Sequence, residues 1–170
     1  MQMAKLRCLC GDCGARSESA MRIALFQPEI AGNVGAVMRL GACFGVAVDL
    51  IEPLGFAWDD KRVRRTAMDY IDHVAVARHV DFWAFHATVG EARLILMTTK
   101  VDATLYDFVF KASDILLFGQ ESAGVPATVA AAAAAAIKIP LRRQVRSFNL
   151  ATAAAITLGE ALRQTQGLPG

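Results

Sequence analysis

Ser113-Asp114-Ile115-Leu116-Leu117-Phe118-Gly119-Gln120-Glu121-Ser122-Ala123-Gly124-Val125-Pro126 is the stretch on which the fold turns. Its run of Ile, Leu and Phe after a polar pair reads as a strand buried on both faces, as in the interior of a parallel sheet. The polar, glycine-bearing loop behind it reads as a connection into a helix. Pro126 suits the first residue of that helix, where a missing backbone N–H costs nothing. A strand, a loop and a helix make one unit of an α/β domain.

The same unit recurs along the chain. Arg22–Phe26 (RIALF) and Val46–Ile51 predict buried strands. Between them lies a helix that Asn33 can cap and that runs to about Phe44, where Gly45 stops it. Glu52-Pro53 ends the second strand. Asp59 and Asp60 suit the start of a helix bearing Lys61, Arg62, Arg64 and Arg65. His73–Ala77 predicts a short strand, Val80–Val89 a helix, and Arg93–Thr98 (RLILMT) a further buried strand. Downstream, a helix is expected through the alanine run, then a brief strand over Ile137–Pro140 and a terminal amphipathic helix over Leu150–Gln164. Strands alternating with helices imply an α/β fold with a mostly parallel sheet and flanking helices.

Composition agrees. The chain has 170 residues, is 55% hydrophobic and 20% charged, and carries a formal net charge of +2. That suits one domain, too apolar to remain disordered. The 13 Gly and 5 Pro follow no period, which excludes a collagen-like or repeat array. The apolar stretches fall short of the ~20 residues a bilayer span needs, so no membrane association is expected. Residues 1–20 read as a disordered or dispensable tail and residues 21–170 as the domain. Cys8, Cys10 and Cys13 crowd that tail without the second Cys-x-x-Cys pair of a zinc site, which leaves a labile metal or redox role as the other reading. Cys43, alone in the body, fits a reducing cytoplasm.

In open parallel sheets, ligands bind beyond the carboxyl ends of the strands. The segments expected there are Glu29–Arg39, Thr98-Thr99-Lys100, Gly119–Pro126 and Leu141–Asn149, all rich in polar residues and glycine. No G-x-G-x-x-G or Walker lysine loop follows the first strand, which disfavours a dehydrogenase or nucleotidase. Gly35 and Gly41 suit helix packing. Two basic runs, Lys61-Arg62 with Arg64-Arg65 and Arg142-Arg143 with Arg146, read either as solvated faces or as surfaces for RNA phosphates. His73, His79 and His86 have neither metal spacing nor a partnered nucleophile, so they read as structural or solvated. Phe82, Trp83 and Phe85 read as core or interface.

Three segments carry a family resemblance. Pro28-Glu29-Ile30-Ala31-Gly32-Asn33-Val34-Gly35 through Arg39, Phe118-Gly119-Gln120-Glu121 through Gly124-Val125-Pro126, and Ile139-Pro140 with Ser147-Phe148-Asn149-Leu150 resemble the signature motifs of the SPOUT methyltransferases. Ile51–Arg65 and Asp69-Tyr70 are similar to the smallest members, the tRNA wobble-nucleotide 2'-O-methyltransferases. The resemblance implies a trefoil knot at the carboxyl end. It implies transfer of a methyl group from S-adenosylmethionine, without a metal, to the ribose at the wobble position of a tRNA anticodon stem-loop. The substrate expected is a leucine tRNA with a wobble cytidine or modified uridine, and the enzyme a cytoplasmic homodimer that does not act on DNA. Another RNA nucleotide is the alternative within this chemistry, and a non-catalytic RNA-binding or assembly protein the alternative outside it.

Residue roles follow from the same resemblance. Met97, Gly119, Ile139 and Ser147 match the positions that hold the cofactor. Gly119 would let the backbone approach the ligand closely, and Met97 and Ile139 would offer apolar surface, although plain core packing also explains those two. Arg39, Asn33, Glu121, Ser147 and Asn149 match the catalytic constellation. A guanidinium is better suited to clamping phosphate or stabilising a developing alkoxide than to acting as a base. Glu121 would accept hydrogen bonds from Arg39 or from backbone donors near Asn33. Ser147 and Asn149 would contact ribose or cofactor, and a turn with a helix cap is an equally good account of Asn149. The chain departs from the pattern at Ala31-Gly32, Ala36, Ala123 and Gly159, which bears on wobble specificity and dimer strength more than on methyl transfer.

Overall fold

In the computed structural model, residues 20–58, 70 and 73–170 are described. The cysteine-bearing tail, the helix expected from Asp59-Asp60, and Lys61, Arg62, Arg64 and Arg65 lie outside the described residues. Six strands form one sheet: β1 (Arg22–Phe26), β2 (Ala47–Ile51), β3 (Val76–His79), β4 (Leu94–Met97), β5 (Ile115–Phe118) and β6 (Ala135–Ile137). Their order is β3-β2-β1-β5-β4-β6, and every neighbouring pair is parallel. The expected α/β architecture is therefore present. Among the described residues the helices are α1 (Ala31–Phe44), α2 (Phe82–His86), α3 (Ala127–Ala131) and α4 (Leu150–Thr165), and a 3-10 turn spans Leu105–Asp107.

Alternation along the strands divides the core into two layers. Ile23, Leu25, Val48, Leu50, Ile95, Leu116 and Phe118 face α1 and α4, whereas Ala24, Phe26, Ile51, Leu94, Leu96, Ile115 and Leu117 face α2 and α3. Both faces of the central strands are dry, which accounts for their unbroken Ile and Leu content. On α4, Leu150, Ala154, Thr157, Leu158, Ala161 and Leu162 are buried, a stripe at helical spacing that lies against the sheet and α1.

Local expectations hold at most positions and fail at several: the helix expected over Val80–Val89 spans only Phe82–His86, and Pro126 is the cap of α3 rather than its first residue. Gly45 does end α1, in the left-handed conformation at φ 68°. Asn33, however, does not cap α1. The cap position is Ile30, and Asn33 sits buried inside the first turn, where its amide is used elsewhere. The third strand begins at Val76 rather than His73, because its register is set by pairing Val48 with Val76 through Ile51 with His79. The alanine run is helical only to Ala131. Residues Ala135–Ile137 pair with Ile95–Met97, and Ile139-Pro140 lie beyond the strand. Intrinsic helix propensity yields there to a sheet edge that would otherwise be left unpaired. Gly41 does serve packing: a Cβ on it would lie 2.6 Å from the Val46 carbonyl oxygen and 3.0 Å from methyl groups of Val48 and Val74.

Buried charge is concentrated at two places. Asp49 on β2 is fully buried; its Oδ1 lies 2.8 Å from His79 Nε2 on β3 and its Oδ2 3.2 Å from Arg22 Nη1 on β1. At the amino ends of β4 and β5, Arg93 grips the buried Asp114 through two hydrogen bonds of 2.8 and 2.7 Å. The Asp114 hydrogen bonds hold the Arg93 guanidinium pKa above its ordinary value.

Candidate active site

The sheet order reverses direction between β1 and β5, and the carboxyl ends of β1, β5, β4 and β6 open onto one cavity of about 670 Å³. A crevice at such a switch point is where α/β sheets bind ligands, and this volume is within the usual range for small-molecule sites. The four polar loops expected at the rim do converge here. Met97, Phe118, Ile139, Leu150 and Ala153 supply an apolar floor; Gly119–Gly124, Thr98–Lys100 and Arg146–Asn149 supply the polar wall.

A chain of hydrogen bonds ties these loops together. Asn33 Nδ2 donates to Glu121 Oε1 at 2.9 Å, and the Glu29 backbone N–H donates to Glu121 Oε2 at 2.8 Å. Asn149 Nδ2 donates to Asn33 Oδ1 at 2.8 Å, while Asn149 Oδ1 accepts from the backbone of Ala151 and Thr152 at 2.9 and 3.3 Å. Asn149 thus caps α4 and belongs to the site at once, so its two readings are compatible. Glu121, the one carboxylate of the lining among the described residues, orients the amide that orients Asn149. Its partners are backbone and amide donors near Asn33, one of the two arrangements the sequence left open.

The turn from Gly119 to Gly124 is narrow. Gln120 and Gly124 exchange backbone hydrogen bonds of 2.8 and 2.9 Å. A Cβ on Gly119 would lie 2.5 Å from the Gly124 carbonyl carbon, and Gly124 is itself left-handed at φ 75°. Closure of the turn, therefore, already requires glycine at 119, independently of any ligand approach. Gln27, the residue after β1, adopts φ 47°, uncommon for a residue with a side chain. It accepts a hydrogen bond of 3.1 Å from Gln120 Nε2.

Met97, Gly119, Ile139 and Ser147 all line this cavity, as do Asn33, Glu121, Asn149 and Arg146. Arg39 does not; it is exposed further along α1 with its guanidinium carbon 4.7 Å from the centroid of Tyr70. Arg142 and Arg143 are exposed and do not line the cavity. Of the histidines, His79 is structural in its pairing with Asp49 and His73 is exposed. Phe82 and Phe85 are buried, while Trp83 keeps 59% of its surface exposed. Lys100 lines the cavity, as the rim segment Thr98-Thr99-Lys100 led one to expect, whereas sequence reasoning missed Glu29 and Ser122 as a pair. Their positions just after strands were the available signal; the contact between loops 93 residues apart had none.

The model of the SpoU rRNA methylase family matches residues 20–159. The chain belongs to this family. Among similar proteins, a tRNA (cytidine(34)-2'-O)-methyltransferase of Beijerinckia indica is 52% identical over 86% of this chain and 92% of its own. The Escherichia coli K12 protein of the same name is 41% identical over 88% of this chain and 96% of its own. A solved structure described as giving insight into the 2-OH methylation of C/U34 on tRNA superposes with a TM-score of 0.83 at 38% identity, covering 89% of this chain and 99% of that one. The trefoil knot is implied by such structural neighbours. No helix among the described residues is long and apolar enough to cross a membrane.

Proposed function

We propose that this protein transfers a methyl group from S-adenosylmethionine to the 2'-hydroxyl of the wobble ribose, cytidine or modified uridine, in tRNA, with leucine tRNA as the substrate. The observation that carries this reading is the cavity in which the Glu121–Asn33–Asn149 chain borders an apolar floor. Relatives bearing the wobble-methyltransferase name are 41% to 52% identical over most of the chain.

The residues present suit the methyl donor. Met97 and Ile139 offer apolar surface for an adenine ring, the tight Gly119–Gly124 turn offers backbone polar groups, and Ser147 offers a hydroxyl beside them. Bound there, S-adenosylmethionine supplies a methyl activated by its sulfonium. What the protein must add is alignment of the ribose hydroxyl and stabilisation of the charge that grows on it, and positioning is a large part of such a rate gain. Asn33 and Asn149 hold each other rigid at the wall. Arg39, outside this cavity in a single copy, would serve as an RNA phosphate clamp or alkoxide stabiliser, and the homodimer is the assembly in which it would do so. Arg142, Arg143 and Arg146, with Lys61, Arg62, Arg64 and Arg65, would hold the phosphates of the anticodon stem-loop, whose unpaired bases can be splayed out for recognition. The reaction would take place in the cytoplasm.

Single-turnover transfer from labelled S-adenosylmethionine to unmodified leucine tRNA transcripts tests the reading, with the methylated nucleotide mapped. Label on the wobble ribose is the expected outcome. Label on another nucleotide would overturn the site, and no transfer to any tRNA would overturn the reaction.

A further inference from the structure

Glu29 has no place in the wall of the cavity, yet it is built into the structure of that wall. Its carboxylate accepts from the Ser122 backbone N–H at 2.8 Å and from Ser122 Oγ at 2.7 Å. In return, its own backbone N–H donates to the Glu121 carboxylate at 2.8 Å. Each loop thus places a carboxylate on the other's main chain, a reciprocal clasp between the segment after β1 and the segment after β5. The clasp closes over the Gly119–Gly124 turn, whose Ser122 and Glu121 face the cavity. Its far side is backed by the loop after β2: the Gly55 N–H donates to the Pro28 carbonyl at 3.0 Å, and a Cβ on Gly55 would lie 2.7 Å from Glu29 Cα. Glu29 is therefore fixed from behind and grips Ser122 in front.

We propose that Glu29 is a positioning residue for methyl-donor binding, acting through Ser122 to hold the Gly119–Gly124 turn in its binding shape. The Ser122 hydrogen bonds hold the Glu29 carboxyl below its ordinary range, so the ionised clasp persists further into acid than a glutamate without these bonds would. Without it, the turn keeps its Gln120–Gly124 bonds but loses the anchor of its tip. Binding then has to restore an order that the native protein already has, and affinity falls by that cost. The inference rests on the proposed use of S-adenosylmethionine at this cavity.

The test is calorimetric titration of S-adenosylmethionine into the full chain and its variants, with amide hydrogen exchange at Ser122 measured without donor. Glu29→Ala is expected to weaken donor binding about 10-fold and to speed Ser122 exchange, since two charge-assisted hydrogen bonds are lost. Glu29→Gln can still accept from the Ser122 N–H and donate to its hydroxyl, so it should stay within about 3-fold of the parent. Ser122→Ala should fall between them. The double variant Glu29→Ala with Ser122→Ala should be no weaker than Glu29→Ala alone, because the hydroxyl acts through the carboxylate. Additive losses, or a Glu29→Ala protein with parental affinity and parental Ser122 exchange, would overturn the clasp. Absence of donor binding by the parent chain would instead overturn the proposed function and this inference with it.

Discussion

Asn33 shows how little freedom one side chain in this site retains. It is 8% exposed, its NH2 is committed to Glu121 and its carbonyl oxygen to Asn149. An amide is the only common side chain of this length that can donate in one direction and accept in the other. Asn33→Asp changes almost no volume but sets a second carboxylate 2.9 Å from Glu121 Oε1. The new carboxylate cannot donate to Glu121 while ionised, and the two like charges repel at that distance. The expected result is loss of methyl transfer by a factor of about 100, of the size seen when a preorganised polar group is removed. Single-turnover rates measured from pH 6 to pH 9 check this, and the loss should be deeper at the alkaline end, where the added carboxylate is ionised.

Among the elements, β2 carries the most consequential polar residue of the core. Asp49 lies midway along a strand that is otherwise apolar, and it holds Arg22 of β1 and His79 of β3 from the same position. The His79 ring in turn stands edge-on to Phe85 of α2, 5.3 Å between centroids. Asp49→Ala leaves a buried imidazole and a largely buried guanidinium without their carboxylate. Removing one partner of a buried ionic group costs about 3–5 kcal/mol, a large part of the stability of an ordinary domain. Urea denaturation should show that loss, with Asp49→Asn, which keeps a hydrogen-bond acceptor toward His79, losing less. An aspartate inside VAVDLI was readable as an anomaly, but its partner was not, because His79 is 30 residues away and is brought alongside by strand pairing. The same limit explains the alanine run. Composition there favoured helix, and only the partner strand Ile95–Met97 dictates that Ala135–Ile137 extend. Strands β1, β2, β4 and β5 were legible because burial on both faces leaves an unmistakable apolar run. The convergence of four loops was legible through the rule for parallel sheets. The clasp of Glu29 on Ser122 and the Asn33 amide bonds were not, since they join segments 88 to 116 residues apart.

Taken whole, the molecule is close to neutral, at +2, yet its exposed arginines are unevenly placed. Arg142, Arg143 and Arg146 lie within five residues on an exposed segment, and the last of them lines the cavity. Under the proposed function this segment sits where a nucleic acid strand must pass to deliver its ribose. Phosphate contacts release condensed counterions, so each one contributes to the steepness with which affinity falls as salt rises, about 0.7 per contact on a single strand. Replacing Arg142 or Arg143 by Ala should weaken tRNA binding modestly and lower the slope of log affinity against log salt by about 0.7 each, while donor affinity stays at the parental value. Arg146→Ala should do both: it should lower the salt slope and also slow transfer, because its side chain borders the cavity as well as the approach. Filter binding across a salt series, paired with donor titration, separates these outcomes. An unchanged slope in all three variants would mean that the strand approaches from another side of the cavity, and the basic segment would then be a solvated surface.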